Sequence, residues 1–460
     1  MTVTPQRTAI THDVVVCGAG PAGGVVARRL AAAGARVALV GTGSRPGWEG
    51  LSARSRALLG EEGLNGMTDV VAGPCARHGA WADGRPVEGI EWLAERSRLA
   101  QAVCMAAISA GVDHRLDTVT NAKRIGDQWR VALRGGGVLA APVLIDARGR
   151  RGPQRRGPLL LAVGQRLKRS AARAAGAPGG GASGDGASGA SATGIGVADF
   201  GWAWWAELGQ MLWVQVIGRP RSGHPAEWLG LAAAQIPALA RTLVGASTWG
   251  DAVARPAHTR LGIAGHDSTL WHVGDSALAL DPLSGQGVFE AVRGARLVAT
   301  AIQSVMNGGD AGLAHRFIAD RHEEAWRRGV RTACEFYREN RTRGAFWRDT
   351  CAAYAALLPA PGAATRGAVP ARMERRPVLD AGRIIERDVV VTADHPRGVW
   401  HIGGVPLANL KHYFDATEHA TVAGAAAALH QPPAAVASAL RWLQQIGPMP
   451  LPPPRVTSGG

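Results

Sequence analysis

The chain has 460 residues, of which 46% are hydrophobic and 19% charged, and no apolar run approaches the roughly 20 residues that cross a bilayer. These values exclude a disordered chain and a membrane-spanning one, and the length allows two or three domains. The net charge is +15, and 48 of the 51 basic residues are arginines, since lysine stands only at Lys123, Lys168 and Lys411.

The first thirteen residues, MTVTPQRTAITHD, contain neither the apolar core nor the cleavage site of a secretion signal. The five cysteines are odd in number and unclustered, without a CxxC spacing, which argues against a disulfide framework and against a zinc site. We therefore expect a cytoplasmic protein with no bound metal. Its cysteines are interpreted as small core residues: Cys17, Cys75, Cys104, Cys334 and Cys351.

Arginines cluster in four segments, 148–156, 166–173, 316–343 and 372–376. Such clusters attract an anionic partner, although an arginine-rich solvated surface explains them equally well. No nucleic-acid-binding motif accompanies the charge, so we expect no nucleic acid and no membrane partner, and an acidic protein is the expected partner.

The N-terminus has the pattern of a strand–helix–strand unit. A short apolar run, DVVVC at 13–17, precedes GAGPAG, a helix-patterned stretch that ends at Gly34, and a second strand, RVALV at 36–40. Further along, 91–110 has a helical pattern and VLIDARG at 143–149 has that of a buried strand running into a turn. This order predicts an α/β fold with a Rossmann-like domain.

A low-complexity Gly/Ala/Ser tract at 172–194 is expected to be a flexible loop within an insertion. After it, FGWAWWAEL and MLWVQVIG predict two antiparallel strands joined by Gly209 and Gln210. We predict three regions: a discontinuous nucleotide-binding domain, an inserted antiparallel-sheet domain, and a mixed C-terminal region. Their predicted bounds are 10–80, 91–157 and 258–345 for the first, 81–90 and 158–257 for the second, and 346–460 for the third.

The segment GAGPAG matches the dinucleotide fingerprint GxGxxG in the required place, directly after a strand and at the start of a helix. Gly18 allows the tight turn, Gly20 lets the backbone approach a pyrophosphate, and Gly23 lets the helix pack closely on the strand; Pro21 and Ala22 complete the loop. The alternative is a structural Gly-rich turn. The acidic residue expected at the end of the second strand is missing, because Gly41 stands there, and Glu49 is a candidate substitute.

A second motif, GDSALALDPLSGQG at 274–287, follows some 250 residues later. It combines a strand end, Gly274-Asp275, with a Pro/Gly loop that opens a long amphipathic helix. Asp275 can accept a hydrogen bond from a ribityl hydroxyl, and a helix N-terminus stabilises the negative charge of a reduced flavin. The alternative is again a structural turn. The loop residues expected to face the flavin are Pro282, Gly285, Gln286 and Gly287.

Together with IDARGRRG between them, the two motifs resemble the aromatic-hydroxylase class of FAD-dependent monooxygenases, whose relatives include tryptophan halogenases and geranylgeranyl reductases. The resemblance covers roughly residues 10–345. It implies FAD as cofactor and hydroxylation by O2 through a flavin C4a-hydroperoxide. It also implies that Arg98 lies near the cofactor, Val119 near the adenine and Asp146 beside the diphosphate, with Ser52 and Arg54 in a loop that runs past the isoalloxazine.

Four segments are similar to flavoproteins that mature tryptophylquinone cofactors, in particular the peptidyl-tryptophan dihydroxylases associated with quinohemoprotein amine dehydrogenase. This similarity implies a tryptophan in an acidic protein or peptide as the substrate, and NAD(P)H or a separate reductase as the electron source. The segments are WEGLSARSRALL, IDARGRRGPQRRGPLLLAVGQ, FGWAWWAEL and GDSALALDPLSGQGVFEAV.

Three other functions remain open. A flavin-dependent halogenase needs a lysine early in the chain, and none precedes Lys123; its WxWxIP signature is half present, with Glu207 in place of proline. A small-aromatic hydroxylase or isoprenoid reductase would share the scaffold, and a non-enzymatic flavoprotein assembly factor would share the basic surface. No catalytic base is singled out: His258, His266 and His272 are interpreted as structural, and the tryptophans at 202–205 as packing.

Overall fold

The structure is a computed structural model and describes residues 10–43, 46–64, 70–150, 154–169, 191–221, 223–263, 267–358 and 371–447. The chain divides into two compact units, Met1–Ala299 with His322–Leu358, and Thr300–Arg321 with Pro359–Gly460. Among the described residues, no helix combines the length and apolar character needed to cross a membrane.

A five-stranded parallel sheet forms the nucleotide-binding part of the first unit. Its central strands are almost entirely buried, because helix Pro21–Ala32 packs on the sheet and Val119, Val131 and Leu139 of a smaller sheet pack with Val15 and Val40. From one edge to the other, the order is Leu270–His272, Val143–Asp146, Val14–Cys17, Val37–Val40 and Asp113–Arg115. The predicted strand–helix–strand unit is confirmed, with its helix at Pro21–Ala32.

Helix Arg96–Ser109 packs against helix Pro21–Ala32 so closely that a Cβ on Gly24 would overlap Val103. Two smaller sheets flank the parallel one. The first has the order Ile10–Thr11, Val138–Ala141, Gln128–Leu133 and Val119–Ile125. The second has the order Gln154–Arg156, Arg260–Gly262 and Leu278–Ala279.

A largely antiparallel sheet of ten strands forms the other half of the first unit. The predicted hairpin is confirmed, since Leu208 pairs with Met211 across the turn at Gly209 and Gln210. The main path is Ala246–Thr248, Leu161–Arg169, Met211–Gly218, Gly201–Leu208, Ala192–Ala198, Val71–Trp81, Gly89–Glu95 and Trp48–Leu51; Val253–Pro256 pairs with Leu161–Arg169, and Arg85–Pro86 with Val71–Trp81.

The two faces of this ten-stranded sheet pack against different helices. Trp205 and Val214 belong to a core beneath helices Glu227–Gln235 and Pro237–Leu243. Side chains alternate between the two faces along a strand, so Trp202 points away from the face of Ala203 and Trp205. On the opposite face, Trp202 packs with Trp326 and Tyr337. The remaining helices of this unit include Ala53–Leu59, which continues into a π-helical turn at Gly60–Leu64, and Ala345–Ala355.

Three sequence-based boundaries differ from the structure. Residues 91–95 belong to strand Gly89–Glu95 rather than to the predicted helix, because they pair with strands Trp48–Leu51 and Val71–Trp81. Strands Trp48–Leu51 and Val71–Trp81, assigned to the nucleotide-binding domain, pair within the ten-stranded sheet. The predicted flexible loop contains the start of strand Ala192–Ala198, while 172–190 lie outside the described residues.

The long helix predicted after the second motif is present as Gly287–Met306 and is followed by Ala311–Glu339. The second unit is a mixture of α and β structure with its own core. Its bounds differ from those of the predicted C-terminal region, 346–460, because 346–358 belong to the first unit and 300–321 to the second. It contains hairpins Arg372–Asp380/Arg383–Val391 and His401–Ile402/Val405–Pro406, and helices Leu407–Ala416, Val422–Leu429 and Pro433–Gln445.

Candidate functional site

The first fingerprint forms a tight strand–loop–helix turn. Its three glycines differ in what a side chain at each position would meet. Gly18 has φ 118°, and a Cβ there would overlap the backbone of Ala147. A Cβ on Gly23 would overlap the Gly18 carbonyl, so the helix can lie this close to the strand only with glycine. Gly20, by contrast, would meet no protein atom within 4 Å. Protein packing therefore does not require glycine at 20, whereas backbone contact with a pyrophosphate does.

The second fingerprint lies directly against the first. Gly274 has φ 62°, and a Cβ on it would lie 2.9 Å from the Ala22 Cβ in the first turn of the fingerprint helix. The Ser276 hydroxyl is within hydrogen-bond distance of the carbonyls of Asp146 and Val273, which ties the Gly-Asp turn to the end of the central strand. The fold therefore brings three sequence-predicted segments to the carboxyl edge of the parallel sheet, where nucleotides bind in such folds.

The two predicted aspartates at this edge both pair with arginines. Arg148 donates to Asp146 from its backbone N–H at 2.9 Å and from its guanidinium at 2.9 and 3.0 Å. Burial raises the pKa of the Asp146 carboxyl, but these hydrogen bonds outweigh it and leave the pKa below its usual value. Asp275, 44% exposed, pairs with Arg150 at 3.1 Å. Arg150, which the sequence reasoning did not single out, also donates to the His258 carbonyl.

The loop that opens the long helix presents backbone rather than side chains. Gly285 is left-handed with φ 60°, and Gly285, Gln286 and Gly287 are exposed. A Cβ on either glycine would meet no protein atom within 4 Å. The first N–H groups of helix Gly287–Met306 therefore lie next to an open backbone surface, as a flavin pyrimidine requires.

Asp281, immediately before Pro282, is the most buried carboxyl of this region and was missed by the sequence reasoning. Its Oδ2 accepts hydrogen bonds from the hydroxyls of Tyr354 at 2.6 Å and Tyr337 at 3.2 Å, and its Oδ1 accepts from the Leu283 N–H at 3.0 Å. Burial raises the pKa of Asp281, and it also raises the pKa of both tyrosines. The network continues to Trp202, whose Nε1 donates to the Tyr337 hydroxyl at 3.4 Å.

The loop predicted to run past the isoalloxazine contacts the long helix. Ser52 caps helix Ala53–Leu59, since its hydroxyl accepts from the Ser55 N–H at 3.1 Å. The Arg54 guanidinium lies 4.3 Å from the ring centre of Phe289, in the first turn of Gly287–Met306. The structure therefore brings Arg54 to the first turn of the helix that the second fingerprint opens.

The remaining two predicted cofactor residues are Val119 and Arg98. Val119 is 8% exposed and packs with Val15 and Val40 on one face of the parallel sheet. Arg98 is 64% exposed and pairs with Glu95. Whether they contact a bound cofactor stays a prediction.

The missing ribose-binding acid has a steric explanation. A Cβ on Gly41 would lie 2.5 Å from the Ala19 backbone nitrogen, so the close approach of the fingerprint loop excludes a side chain at this position. Glu49, the candidate substitute, forms an ion pair with Arg96.

Of the three histidines considered as bases, His258 is buried. Burial and the positive charges of Arg150 and Arg156 lower the pKa of its imidazole, which favours the neutral form. His272 ends the edge strand Leu270–His272, and His266 lies outside the described residues. Asp281 and Arg150 had no sequence signal as site residues beyond their places in the second fingerprint and the arginine cluster.

No protein-family model matches the sequence, and no curated protein does. Solved structures do match. The peptidyl tryptophan dihydroxylase QhpG, essential for tryptophylquinone cofactor biogenesis, is 28% identical with a TM-score of 0.77, covering 95% of this chain and 100% of that one.

Two halogenases share the fold at lower identity. The flavin-dependent halogenase CmlS is 17% identical with a TM-score of 0.68, covering 95% of both chains. The flavin-dependent brominase Bmp2 is 19% identical with a TM-score of 0.57, covering 76% of this chain and 90% of its own. The resemblance and the fold class predicted from the sequence are thereby confirmed.

Proposed function

We propose that this chain, an FAD-dependent oxidoreductase with the fold shared by QhpG and the flavin-dependent halogenases, hydroxylates a tryptophan side chain within a protein substrate during the biogenesis of a quinone cofactor. The observation that carries the proposal is the match to QhpG, which extends over all of that chain and over 95% of this one. Similarity to the halogenases alone would support only the fold.

The residues at the carboxyl edge fit FAD. The surface at Gly20, where a Cβ would meet no protein atom, suits the pyrophosphate, and Asp275 suits a ribityl hydroxyl. The backbone at Gly285–Gly287 suits the flavin pyrimidine. When bound, FAD supplies the two-electron chemistry with O2.

The chain's own residues hold and enclose the reacting groups. The Asp281 carboxyl, fixed by two tyrosine hydroxyls and the Leu283 N–H, anchors the Pro282–Ser284 turn. Trp202 and the aromatic core around Tyr337 make the ten-stranded sheet apolar on the same side, which excludes water from this end of the sheet. Burial raises the pKa of the Asp281 carboxyl, because a buried carboxylate loses its hydration.

The reaction requires an external source of electrons. Each hydroxylation places one atom of O2 in an indole C–H bond and reduces the other to water, with two electrons from NAD(P)H or from a separate reductase. No separate nicotinamide-binding fingerprint occurs in the sequence, which favours transient docking of the nicotinamide or a partner reductase.

A halogenase is the second candidate because the structural matches at lower identity, CmlS and Bmp2 among them, are flavin-dependent halogenases. The lysines do not support it: Lys123 is exposed on strand Val119–Ile125, Lys168 is exposed on strand Leu161–Arg169, and Lys411 pairs with Asp415 in the second unit. Intact-mass measurement separates the two reactions, since halogenation replaces a hydrogen atom by a halogen.

The test is intact-mass analysis of tryptophan-containing acidic proteins and peptides after incubation with the enzyme, FAD, a reductant, O2 and bromide. We expect mass gains in steps of one oxygen atom, located on tryptophan by fragmentation. The matched controls omit O2 or replace the tryptophan by phenylalanine. Incorporation of bromine, or rapid turnover of free tryptophan without turnover of any polypeptide, would contradict the proposal, and oxygen uptake without product would favour an assembly factor.

A further inference from the structure

Two of the five cysteines face each other between the two helices that hold Asp281. Cys334 belongs to helix Ala311–Glu339, and Cys351 belongs to helix Ala345–Ala355. The Cys334 thiol donates to the Cys351 carbonyl at 3.8 Å, and the Cys351 thiol donates to the Cys334 carbonyl at 3.7 Å. Each side chain therefore points toward the other cysteine, which is the arrangement that a disulfide requires.

The cysteine pair is accessible from one side. Cys334 is only 1% exposed, whereas Cys351 is partly exposed, so a small oxidant can reach Cys351 while Cys334 lies behind it. The other three cysteines are buried and lie on other elements: Cys17, Cys75 and Cys104. The structure therefore offers one specific pairing rather than an exchange among all five thiols.

A cation lies beside both thiols. The Arg338 guanidinium donates to the Cys334 sulfur at 3.6 Å. Burial raises the pKa of the Cys351 thiol, and so does the neighbouring Cys334 thiol, while Arg338 acts in the opposite direction. The thiolate is the reacting form of cysteine, and a nearby cation favours it. Arg338 is therefore the group that activates the pair in its largely apolar surroundings.

We propose that hydrogen peroxide converts Cys334 and Cys351 to an intramolecular disulfide. The Cys351 thiolate attacks the peroxide O–O bond and becomes a sulfenic acid, and the released hydroxide takes up the thiol proton to form water. The Cys334 thiol then displaces the sulfenic hydroxyl as a second water molecule. The two sulfurs lose two electrons, and these reduce the peroxide. Hydrogen peroxide is the by-product formed when O2 takes both electrons of a reduced flavin without product formation.

The cross-link would act on the support of the flavin loop. Tyr337 follows Cys334 by three residues, which is about one helical turn. Tyr354 follows Cys351 by the same spacing. The two tyrosine rings stack with centres 5.5 Å apart, and both hydroxyls donate to Asp281. A bond between the helices fixes their separation beside Asp281, so loss of FAD should become slower. This effect rests on the proposed cofactor site, whereas the cross-link itself does not.

The experiment exposes the reduced, FAD-loaded protein to hydrogen peroxide, blocks the remaining thiols with N-ethylmaleimide and digests the protein without reductant. We expect one cross-linked pair of tryptic peptides, 332–338 with 349–366, whose mass is two hydrogen atoms below their sum. Dithiothreitol should separate the pair. Release of FAD, followed by flavin fluorescence after dilution, should be several-fold slower for the cross-linked protein than for the reduced one.

The variants separate the pair from cysteine oxidation in general. Cys351→Ser should give neither the cross-link nor the slower release of FAD. Cys75→Ser is the matched control and should behave as wild type, because Cys75 is buried in a different core cluster. Arg338→Gln should slow cross-linking several-fold, and Arg338→Lys should restore much of the rate because an ammonium group also favours the thiolate. Circular dichroism melting verifies that each variant is folded.

Oxidation of Cys351 to a sulfinic acid without cross-linking, or pairing of Cys334 with any other cysteine, would overturn the proposal. An equal rate for wild type and Arg338→Gln would contradict activation by the guanidinium. A cross-link that leaves the release of FAD unchanged would overturn the effect on the flavin loop and keep the modification site. If the protein bound no FAD, the proposed function would fail, yet peroxide should still cross-link the FAD-free protein.

Discussion

At the scale of single residues, the site depends on partners that are distant in sequence. Asp281 lies between Asp275 and Pro282, which the second fingerprint singled out. Its own hydrogen bonds, however, come from Tyr337 and Tyr354, which lie 56 and 73 positions later in the chain. A local pattern cannot reveal such partners, because they belong to helices that only the tertiary fold brings to the loop. The fingerprint glycines could be predicted from the sequence, because local backbone geometry determines why glycine is needed there.

The raised pKa of Asp281 predicts a pH-dependent stability. Because the folded-state pKa lies above the ordinary value of 3.8, the stabilisation is complete below about that pH and is lost as the pH rises through the folded-state pKa. The free energy of unfolding of wild type, relative to Asp281→Asn, should therefore decrease with rising pH. Urea titrations followed by tryptophan fluorescence over a pH series measure this difference.

Asp13→Asn is the control with the opposite sign. Hydrogen bonds from Arg36 lower the pKa of Asp13, so its contribution is present above 3.8 and is lost as the pH falls. If Asp281→Asn gave the same direction of pH dependence as Asp13→Asn, the inference that folding raises the pKa of Asp281 would be wrong.

At the scale of elements, the first fingerprint contains one glycine that packing does not require, Gly20, and one that it does, Gly23. Substitutions at the two positions should therefore have different effects. Gly20→Val meets no protein atom within 4 Å at its Cβ, so the variant should fold, whereas FAD should bind at least about tenfold more weakly because the side chain blocks backbone contact with the pyrophosphate. Circular dichroism melting and flavin absorbance after purification measure the two effects.

Gly23→Ala should reduce stability first and FAD binding only as a result. Its Cβ overlaps the Gly18 carbonyl, so the helix must move away from the strand. Its melting temperature should fall, and FAD loss should follow from the loss of structure. Full FAD retention by Gly20→Val would place the pyrophosphate elsewhere.

Helices and strands whose apolar residues follow one clear period were predictable from the sequence. Segments whose apolar residues fit both a helical and a strand period were not. The buried strand Val14–Cys17, its helix and the hairpin around Gly209 follow from apolar runs and turn residues. The predicted helix 91–110 began too early: Trp92 and Leu99, seven residues apart, satisfy a helical spacing, but 91–95 form part of a strand. Pairing with Trp48–Leu51 and Val71–Trp81 decides the outcome, and it is not encoded locally.

At the scale of the whole molecule, the charge of +15 predicts how a protein substrate is captured. The association rate of an acidic substrate should fall about tenfold between low and high salt, because ions screen the attraction beyond roughly 10 Å at 0.1 M. Stopped-flow fluorescence across an NaCl series measures it. A neutral variant of the same substrate is the control, and an association rate of the acidic substrate that does not depend on salt would contradict electrostatic capture.

The sequence was sufficient for the FAD-binding half and insufficient for the composition of the large sheet. The fingerprints identify nucleotide-binding edges because their chemistry demands particular residues at fixed spacing. The ten-stranded sheet gathers strands from residue 48 to residue 256, and nothing local states that Ala192–Ala198 pairs in parallel with Val71–Trp81.

The contact between Gly274 and Ala22 also has a consequence for synthesis of the protein. The two halves of the nucleotide-binding edge are separated by about 250 residues, so a ribosome making about 5–20 residues per second completes the second half roughly 13–50 s after the first. During that interval the edge of Val143–Asp146 that Leu270–His272 later covers has no partner strand. The nascent chain therefore acquires its cofactor late, and until then it depends on protection of an exposed strand edge.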